Sequence, residues 1–264
     1  MKIGFIGLGN MATAIIGGIL AKGMAAAEDI IGFDKFEGAR DVAKAKFGIG
    51  IADDNVNTAQ KSDILFLAVK PQFFSDVLDE LKGKIDKGTL VVSIAAGKTI
   101  DFLEKGISSK HKIIRCMPNT PALVGEGCTG VCCNEQVTDE EFERVLTLLN
   151  SFGKAYKITE NMMDAVVAVS GSSPAYVFMF IEAMADGAVK AGMPRNQAYE
   201  FAAQAVLGSA KMVLETGKHP AELKDMVCSP GGTTIEAVKV LEEKGLRGAV
   251  MEAMEACIKR NKQL

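Results

Sequence analysis

Over its first 160 residues this chain alternates short, strongly apolar runs with segments of helical spacing, and few architectures accept that pattern. Residues 2–7 (KIGFIG), 29–33 (DIIGF), 63–69 (DILFLAV), 89–95 (TLVVSIA) and 112–116 (KIIRC) each read as buried strands. Between them the apolar residues recur at helical intervals, as in Met11, Ile15, Ile16, Ile19 and Leu20. Strands apolar on both faces and separated by helices specify βαβ units and a parallel sheet. Residues 129–133 (TGVCC) and 154–158 (KAYKI) are expected to close the sheet. They flank a helix that starts near Thr138 and carries Glu141 at capping-box spacing.

Past residue 160 the strand signals stop, and Ala, Met, Leu and Glu dominate. Helices are expected over 161–191 (broken near Ser172–Pro174), 195–216, 220–227, 233–244 and 246–260, with Gly and Pro pairs as stops and starts. The fold class is therefore an α/β Rossmann-type N-terminal domain, residues 1–160, followed by an all-α C-terminal domain, residues 161–264. Stretches such as AVVAVSG and AAQAVLGSA are small or apolar on most faces and need cover on all sides. About a hundred residues supply little cover of their own, so a second subunit is expected on the helical half; a tightly packed monomer core is the alternative.

Bulk properties narrow the function. Hydrophobic residues make up 48% and charged residues 24% of the 264, the balance of a globular enzyme. The formal net charge is −3 and the basic residues are scattered, which argues against a nucleic acid or an anionic membrane as partner. No signal peptide is read at the N-terminus, and no run is expected to reach the ~20 apolar residues of a membrane span, so a cytoplasmic location is expected. The six cysteines (Cys116, Cys128, Cys132, Cys133, Cys228, Cys257) contain no C-x-x-C pair, and His111 and His219 stand apart. No metal site is expected, and the cysteines read as reduced thiols, with Cys132 and Cys133 on opposite faces of a strand.

Gly7-Leu8-Gly9-Asn10-Met11-Ala12 fits G-x-G-x-x-A directly between a strand and a helix. Gly7 suits the tight turn, Gly9 the approach of a pyrophosphate, and Ala12 close helix–strand packing. Asp34 lies 22 positions after Ala12 at the end of the second strand, where an acidic residue accepts hydrogen bonds from a ribose 2′-OH. That favours NADH, but Lys35 and Arg40 could instead neutralise a 2′-phosphate, so NADPH and NADH both stand. Further loops at strand ends line the same crevice: Ala68-Val69-Lys70-Pro71, Ala95-Ala96, and the turn holding Asn119, assigned to the substrate by position against plain turn chemistry.

In the helical half, Ser229-Pro230-Gly231-Gly232-Thr233-Thr234 leads into a helix with Thr233 and Glu236 at capping-box spacing. Exposed N–H groups, hydroxyls and the helix dipole suit a carboxylate; a well-capped helix is the alternative.

GFIGLGNMA, FLAVKPQ, MPNTP, SGSSPAY and LKDMVCSPGGTTI, in that order along essentially the whole chain, resemble the pyrroline-5-carboxylate reductases. The resemblance implies reduction of L-1-pyrroline-5-carboxylate to L-proline by NADPH or NADH, and a helical domain that forms an interlocked homodimer, often assembled into rings of dimers. It places nucleotide contacts on Gly7 to Ala12, Asn55, Ala68 to Pro71, and Ala95 and Ala96. Substrate carboxylate contacts fall on Gly231, Gly232, Thr233 and Thr234. Met226 stands where some relatives carry Asn, and Asp34 where some carry a small polar residue.

A protonated cyclic imine is electrophilic enough that hydride transfer calls for orientation more than for an acid, a nucleophile or a metal. Thr234 is the residue expected at the ring nitrogen. Ser170, Ser172, Ser173 and Tyr176 surround the helix break at Pro174, where satisfying freed backbone groups is the simpler use. Two rivals remain. A β-hydroxyacid dehydrogenase shares the glycine motif but needs a Lys and an Asn on its first interdomain helix, where SGSSPAYVFMF has neither. A cofactor-binding regulatory protein would keep the fold without turnover.

Overall fold

The computed structural model describes residues 1–263. Eight strands form one sheet: β1 (Ile3–Ile6), β2 (Ile30–Phe33), β3 (Gly50–Ile51), β4 (Ile64–Leu67), β5 (Leu90–Ser93), β6 (Lys112–Met117), β7 (Gly127–Cys133) and β8 (Gly153–Lys157). Their spatial order is β3-β2-β1-β4-β5-β6-β7-β8, and every neighbouring pair is parallel except β6 with β7. The seven expected strands all form. The two-residue β3 is too short to carry a sequence pattern.

Alternation along the strands sends side chains to two cores. Ile3, Phe5, Ile64, Phe66, Leu90 and Val92 face one; Ile6, Leu65, Leu67 and Val91 face the other. Phe5 and Phe66 stack across adjacent strands with ring centroids 4.8 Å apart. The first core is covered by α1 (Asn10–Ala21), α2 (Glu37–Phe47) and α6 (Asp139–Leu149). The second is covered by α3 (Asn55–Gln60), α4 (Phe74–Leu81) and α5 (Ile100–Gly106). Both faces of the sheet are thus buried, which is why its strands read as continuous apolar runs. The capping box at Thr138 and Glu141 forms in both directions at the start of α6.

By compactness the described chain divides into residues 1–172 with 257–263, and Ser173–Ala256. The second unit is helical: α8 (Ser173–Lys190), α9 (Arg195–Thr216), α10 (Pro220–Val227), α11 (Thr233–Glu243) and most of α12 (Leu246–Asn261). Its buried apolar residues are three alanines, Ala185, Ala198 and Ala202, where α8 meets α9. Phe178, Met179, Phe201 and Leu214 of the same helices are more than half exposed.

The segment before α8 holds the expected break and, ahead of it, turns that were not expected. A 3-10 turn at Glu160–Met162, α7 (Met163–Val166) and a π-turn at Val167–Gly171 follow one another, and a bend at Ser172 separates them from α8. The break expected near Ser172–Pro174 is thus present, although Glu160–Lys190 taken together makes a largely helical run of 31 residues, with a mean hydropathy of 1.4 in its most apolar stretch. By length and composition alone this run could cross a membrane, contrary to the expectation that none would. Pro174 sits in the first turn of α8, where its missing N–H has no helical partner to lose. From within the π-turn, Ser170 Oγ donates to the carbonyl of Val166, the last residue of α7, at 2.9 Å.

Candidate active site

The sheet reverses its winding at β1, whose neighbours are β2 on one side and β4 on the other. Ligand crevices in such sheets open beyond the strand ends at this point. There the chain leaves β1 through Gly7, whose φ of +94° is left-handed and whose N–H donates to the Phe33 carbonyl at 2.8 Å. A Cβ on Gly7 would lie 2.7 Å from the Ala68 carbonyl oxygen and 2.9 Å from the Val69 nitrogen, so the segments leaving β1 and β4 approach too closely for a side chain. The fit of Leu8 depends on a third glycine that the motif does not include. A Cβ on Gly32 of β2 would meet Leu8 Cδ2 at 2.7 Å.

Gly9 is the N-cap of α1, and no side chain caps that helix. A Cβ on Gly9 would meet nothing within 4 Å, and Gly9 and Asn10 are exposed while Ala12 is buried. Uncapped N–H groups at the start of a twelve-residue helix, beside open space, form a cradle for a pyrophosphate. The Asp34 carboxylate ties this turn to β2. Its Oδ2 accepts from the Leu8 N–H at 2.8 Å and its Oδ1 from the Phe36 N–H at 2.9 Å. Arg40 Nη1 donates to the Asp34 carbonyl at 2.7 Å and the Lys35 carbonyl at 3.3 Å.

The other expected nucleotide residues fall in the same compact unit. Asn55 opens α3 and its Nδ2 donates to Glu80 Oε2 at 2.6 Å. Ala68 and Val69 are half-buried past β4, Lys70 is exposed, and Pro71 begins a 3-10 turn. Ala95 is buried and Ala96 half-buried past β5. Asn119 is buried with both ends of its amide engaged: Oδ1 accepts from the Cys128 N–H at 2.8 Å and Nδ2 donates to the Ser170 carbonyl at 3.0 Å. Its side chain therefore fastens the π-turn to β7.

Gly231, Gly232, Thr233 and Thr234 belong to the second unit. Gly231 takes a left-handed φ of +68°, and the Gly232 N–H closes a turn to the Ser229 carbonyl at 3.0 Å. Gly232, not Thr233, is the N-cap of α11, and no side chain caps the helix, so the capping box expected from Thr233 and Glu236 does not form. The reason is register: Thr233 is already helical, one position too late for its hydroxyl to reach back over the first turn. The outcome leaves an eleven-residue helix with uncapped N–H groups, Thr233 exposed and Thr234 half-buried beside them.

Arg115 on β6 was not singled out in the sequence. Its buried guanidinium donates to Glu160 Oε1 at 2.8 Å, and the same oxygen accepts from the Ile100 N–H, locking β6, α5 and the 3-10 turn together. No spacing signals a pair 45 residues apart. The histidines have local partners: His219 Nδ1 accepts from the Ala221 N–H, and His111 Nε2 lies 3.3 Å from the Ile85 carbonyl. All six cysteines are free thiols, and among the described residues no group of His, Cys, Asp and Glu is placed to hold a metal.

A glycine-fronted, uncapped helix at the switch point of a mostly parallel sheet defines a dinucleotide-binding α/β protein of the Rossmann type. Two family models match the chain: "NADP oxidoreductase coenzyme F420-dependent" over residues 2–97 and "pyrroline-5-carboxylate reductase dimerisation" over residues 160–264. A pyrroline-5-carboxylate reductase of Escherichia coli is 57% identical, with all of this chain and 98% of that protein covered. One from Methanosarcina acetivorans is 46% identical over all of this chain and 97% of its own. Among solved structures, a pyrroline-5-carboxylate reductase from Coxiella burnetii superposes with a TM-score of 0.92 at 36% identity, over 99% of this chain and 97% of that one. The Plasmodium falciparum enzyme, solved with NADP bound, gives 0.90 at 34% identity, over 100% and 97%. The chain belongs to the pyrroline-5-carboxylate reductase family.

Proposed function

We propose that this chain reduces L-1-pyrroline-5-carboxylate to L-proline at the expense of NADH or NADPH, the last step of proline biosynthesis. The observation that carries the reading is a pair of uncapped helix N-termini, α1 behind Gly7-Leu8-Gly9 and α11 behind Gly231-Gly232, each preceded by a left-handed glycine. Each suits an anion: the first a pyrophosphate, the second a carboxylate. The open space at Gly9 fits the dinucleotide, and Gly7 to Ala12, Asp34, Lys35, Asn55, Ala68 to Pro71, Ala95 and Ala96 are the residues that would hold it. When bound, the reduced nicotinamide supplies the hydride accepted at the imine carbon.

The chain's own tasks are holding and orienting. Gly231, Gly232 and Thr233 take the substrate carboxylate, and the Thr234 hydroxyl hydrogen-bonds the ring nitrogen, keeping the imine carbon in one orientation. Asn119 contributes by fixing the π-turn, since both ends of its amide are already used. Residues 1–160 form the dinucleotide domain and 161–264 the dimerisation and substrate domain. The exposed apolar surface of α8 and α9 supports a homodimer, further assembled into a ring of dimers, over a membrane-spanning role for Glu160–Lys190. The protein works in the cytoplasm on a small molecule, without nucleic acid or membrane partners.

The test is nicotinamide absorbance with purified protein and pyrroline-5-carboxylate, run with NADH and NADPH in parallel. Oxidation matched by proline formation is expected. No oxidation with either cofactor, in protein that still binds them, would favour a regulatory protein instead. Thr234→Ala is expected to lower turnover roughly 10- to 100-fold, the worth of a hydrogen bond to a charged partner. Near-normal turnover with unchanged KM would remove that role.

A further inference from the structure

The end of β2 is where the two dinucleotides differ in what they need from the protein. A ribose 2′-hydroxyl is a donor, whereas a 2′-phosphate is an acceptor carrying nearly two negative charges and needs donors and cations around it. Two donors at the end of β2 are the backbone N–H groups of Leu8 and Phe36. Both are taken by the Asp34 carboxylate, at 2.8 and 2.9 Å. Asp34 thus occupies both donors and brings a negative charge, unfavourable to a phosphate, to the end of β2. Held at both oxygens by separate backbone segments, the carboxylate has no freedom to swing aside.

The cations do not offset this. Arg40 is committed to the carbonyls of Asp34 and Lys35 at 2.7 and 3.3 Å, and its guanidinium lies 5.5 Å from the centre of the Phe33 ring. Turning it outward would leave those carbonyls without their donor. That leaves Lys35, an exposed point charge on a flexible stem, against the Asp34 carboxylate. A carboxylate has about four acceptor positions, and the two N–H groups use two, so capacity remains for hydroxyl donors.

We infer that this protein is built for NADH, with Asp34 as the residue that selects against NADPH and Arg40 withheld from any 2′-phosphate. This rests on the reading that the chain is a nicotinamide-dependent reductase and goes beyond it by naming the cofactor.

The experiment is direct titration of the purified full-length protein with NADH and with NADPH, without substrate, following nicotinamide fluorescence. NADH is expected to bind at least about tenfold more tightly, the loss of one unfavourable charge contact. Equal or tighter binding of NADPH would overturn the inference while leaving the reductase reading intact; binding of neither would overturn both. Asp34→Ser is expected to narrow or reverse the ratio, and an unchanged ratio in a folded variant would overturn the role of Asp34. Because Asp34 also anchors the glycine turn, Arg40→Ala serves as the second variant. Its NADH-to-NADPH ratio is expected to stay within about twofold of the parent. A tenfold fall in NADPH affinity alone would show that Arg40 does serve the phosphate and overturn the inference.

Discussion

Gly7 and Gly9 lie two residues apart in one turn, yet physical constraints set them different tasks. Gly7 combines a left-handed φ with a Cβ position blocked by the backbone of Ala68 and Val69, so Gly7→Ala is expected to destabilise the fold by roughly 1–3 kcal/mol. At Gly9 a methyl group would project into open space, so Gly9→Ala is expected to fold with an unchanged urea midpoint and lose dinucleotide affinity. Denaturation curves and cofactor titrations on the two variants separate folding from binding; equal loss of stability in both would contradict the geometry. The thiols divide in a similar way. Burial, and after it the Glu160 carboxylate, pushes Cys132 up to about 12, and burial raises Cys116 well above the ordinary thiol range. Since the thiolate is the nucleophile, both are expected to resist iodoacetamide at pH 8 in the folded protein and react once it is unfolded. Mass spectrometry of the alkylated peptides checks this.

Helix starts set the behaviour of individual elements. In α6 the cap is reciprocal between Thr138 and Glu141, and Glu141 also pairs with Lys112 at 2.5 Å. Burial pushes the Glu141 carboxyl up, but the Lys112 ammonium and the Thr138 donors together hold it below its usual range. A carboxyl lowered in the folded state adds stability above its unfolded value, near pH 4.3, and loses it as pH falls through the carboxylate range. Thr138→Ala is expected to cost about 1 kcal/mol at pH 7. Glu141→Gln should also destabilise at pH 7, by an amount that shrinks below about pH 4 as the parent carboxyl protonates. Urea midpoints at both pH values measure it, and a pH-independent difference would exclude the ionic contribution. By contrast α1 and α11 have glycine at the N-cap and no side-chain cap, the sacrifice of a local stabilising contact that leaves their first-turn donors for a ligand.

For the whole molecule, the helical unit is short of its own core. Three buried alanines between α8 and α9 are set against Phe178, Met179, Phe201 and Leu214 exposed on the same two helices. Apolar surface of that extent on helices apolar around most of their circumference calls for a partner. Phe178→Arg is expected to convert the homodimer to a monomer of lower thermal stability, read by sedimentation velocity and by the concentration dependence of the melting temperature. A parent protein that sediments as a monomer would refute the dimer outright.

The parallel sheet and its helices were legible because their physical cause is local and periodic. Buried strands need continuous apolar runs, and helices need 3.6-residue spacing with Gly and Pro at their ends; the bounds of α9 and α10 were read residue for residue. The glycine motif was legible because a tight turn next to a helix start restricts residue type. What tertiary structure alone decided is which partner each polar group takes. Asn119 spends its amide on Cys128 and Ser170, Asp34 spends two acceptor positions on Leu8 and Phe36, and Arg115 finds Glu160 45 residues away. The break near Ser172–Pro174 was legible from the proline, but the π-turn at Val167–Gly171 that precedes it carries no periodic signal. Pattern determines which face of an element is buried. Hydrogen-bond pairing depends on distances between segments far apart in the chain, and those exist only once the chain has folded.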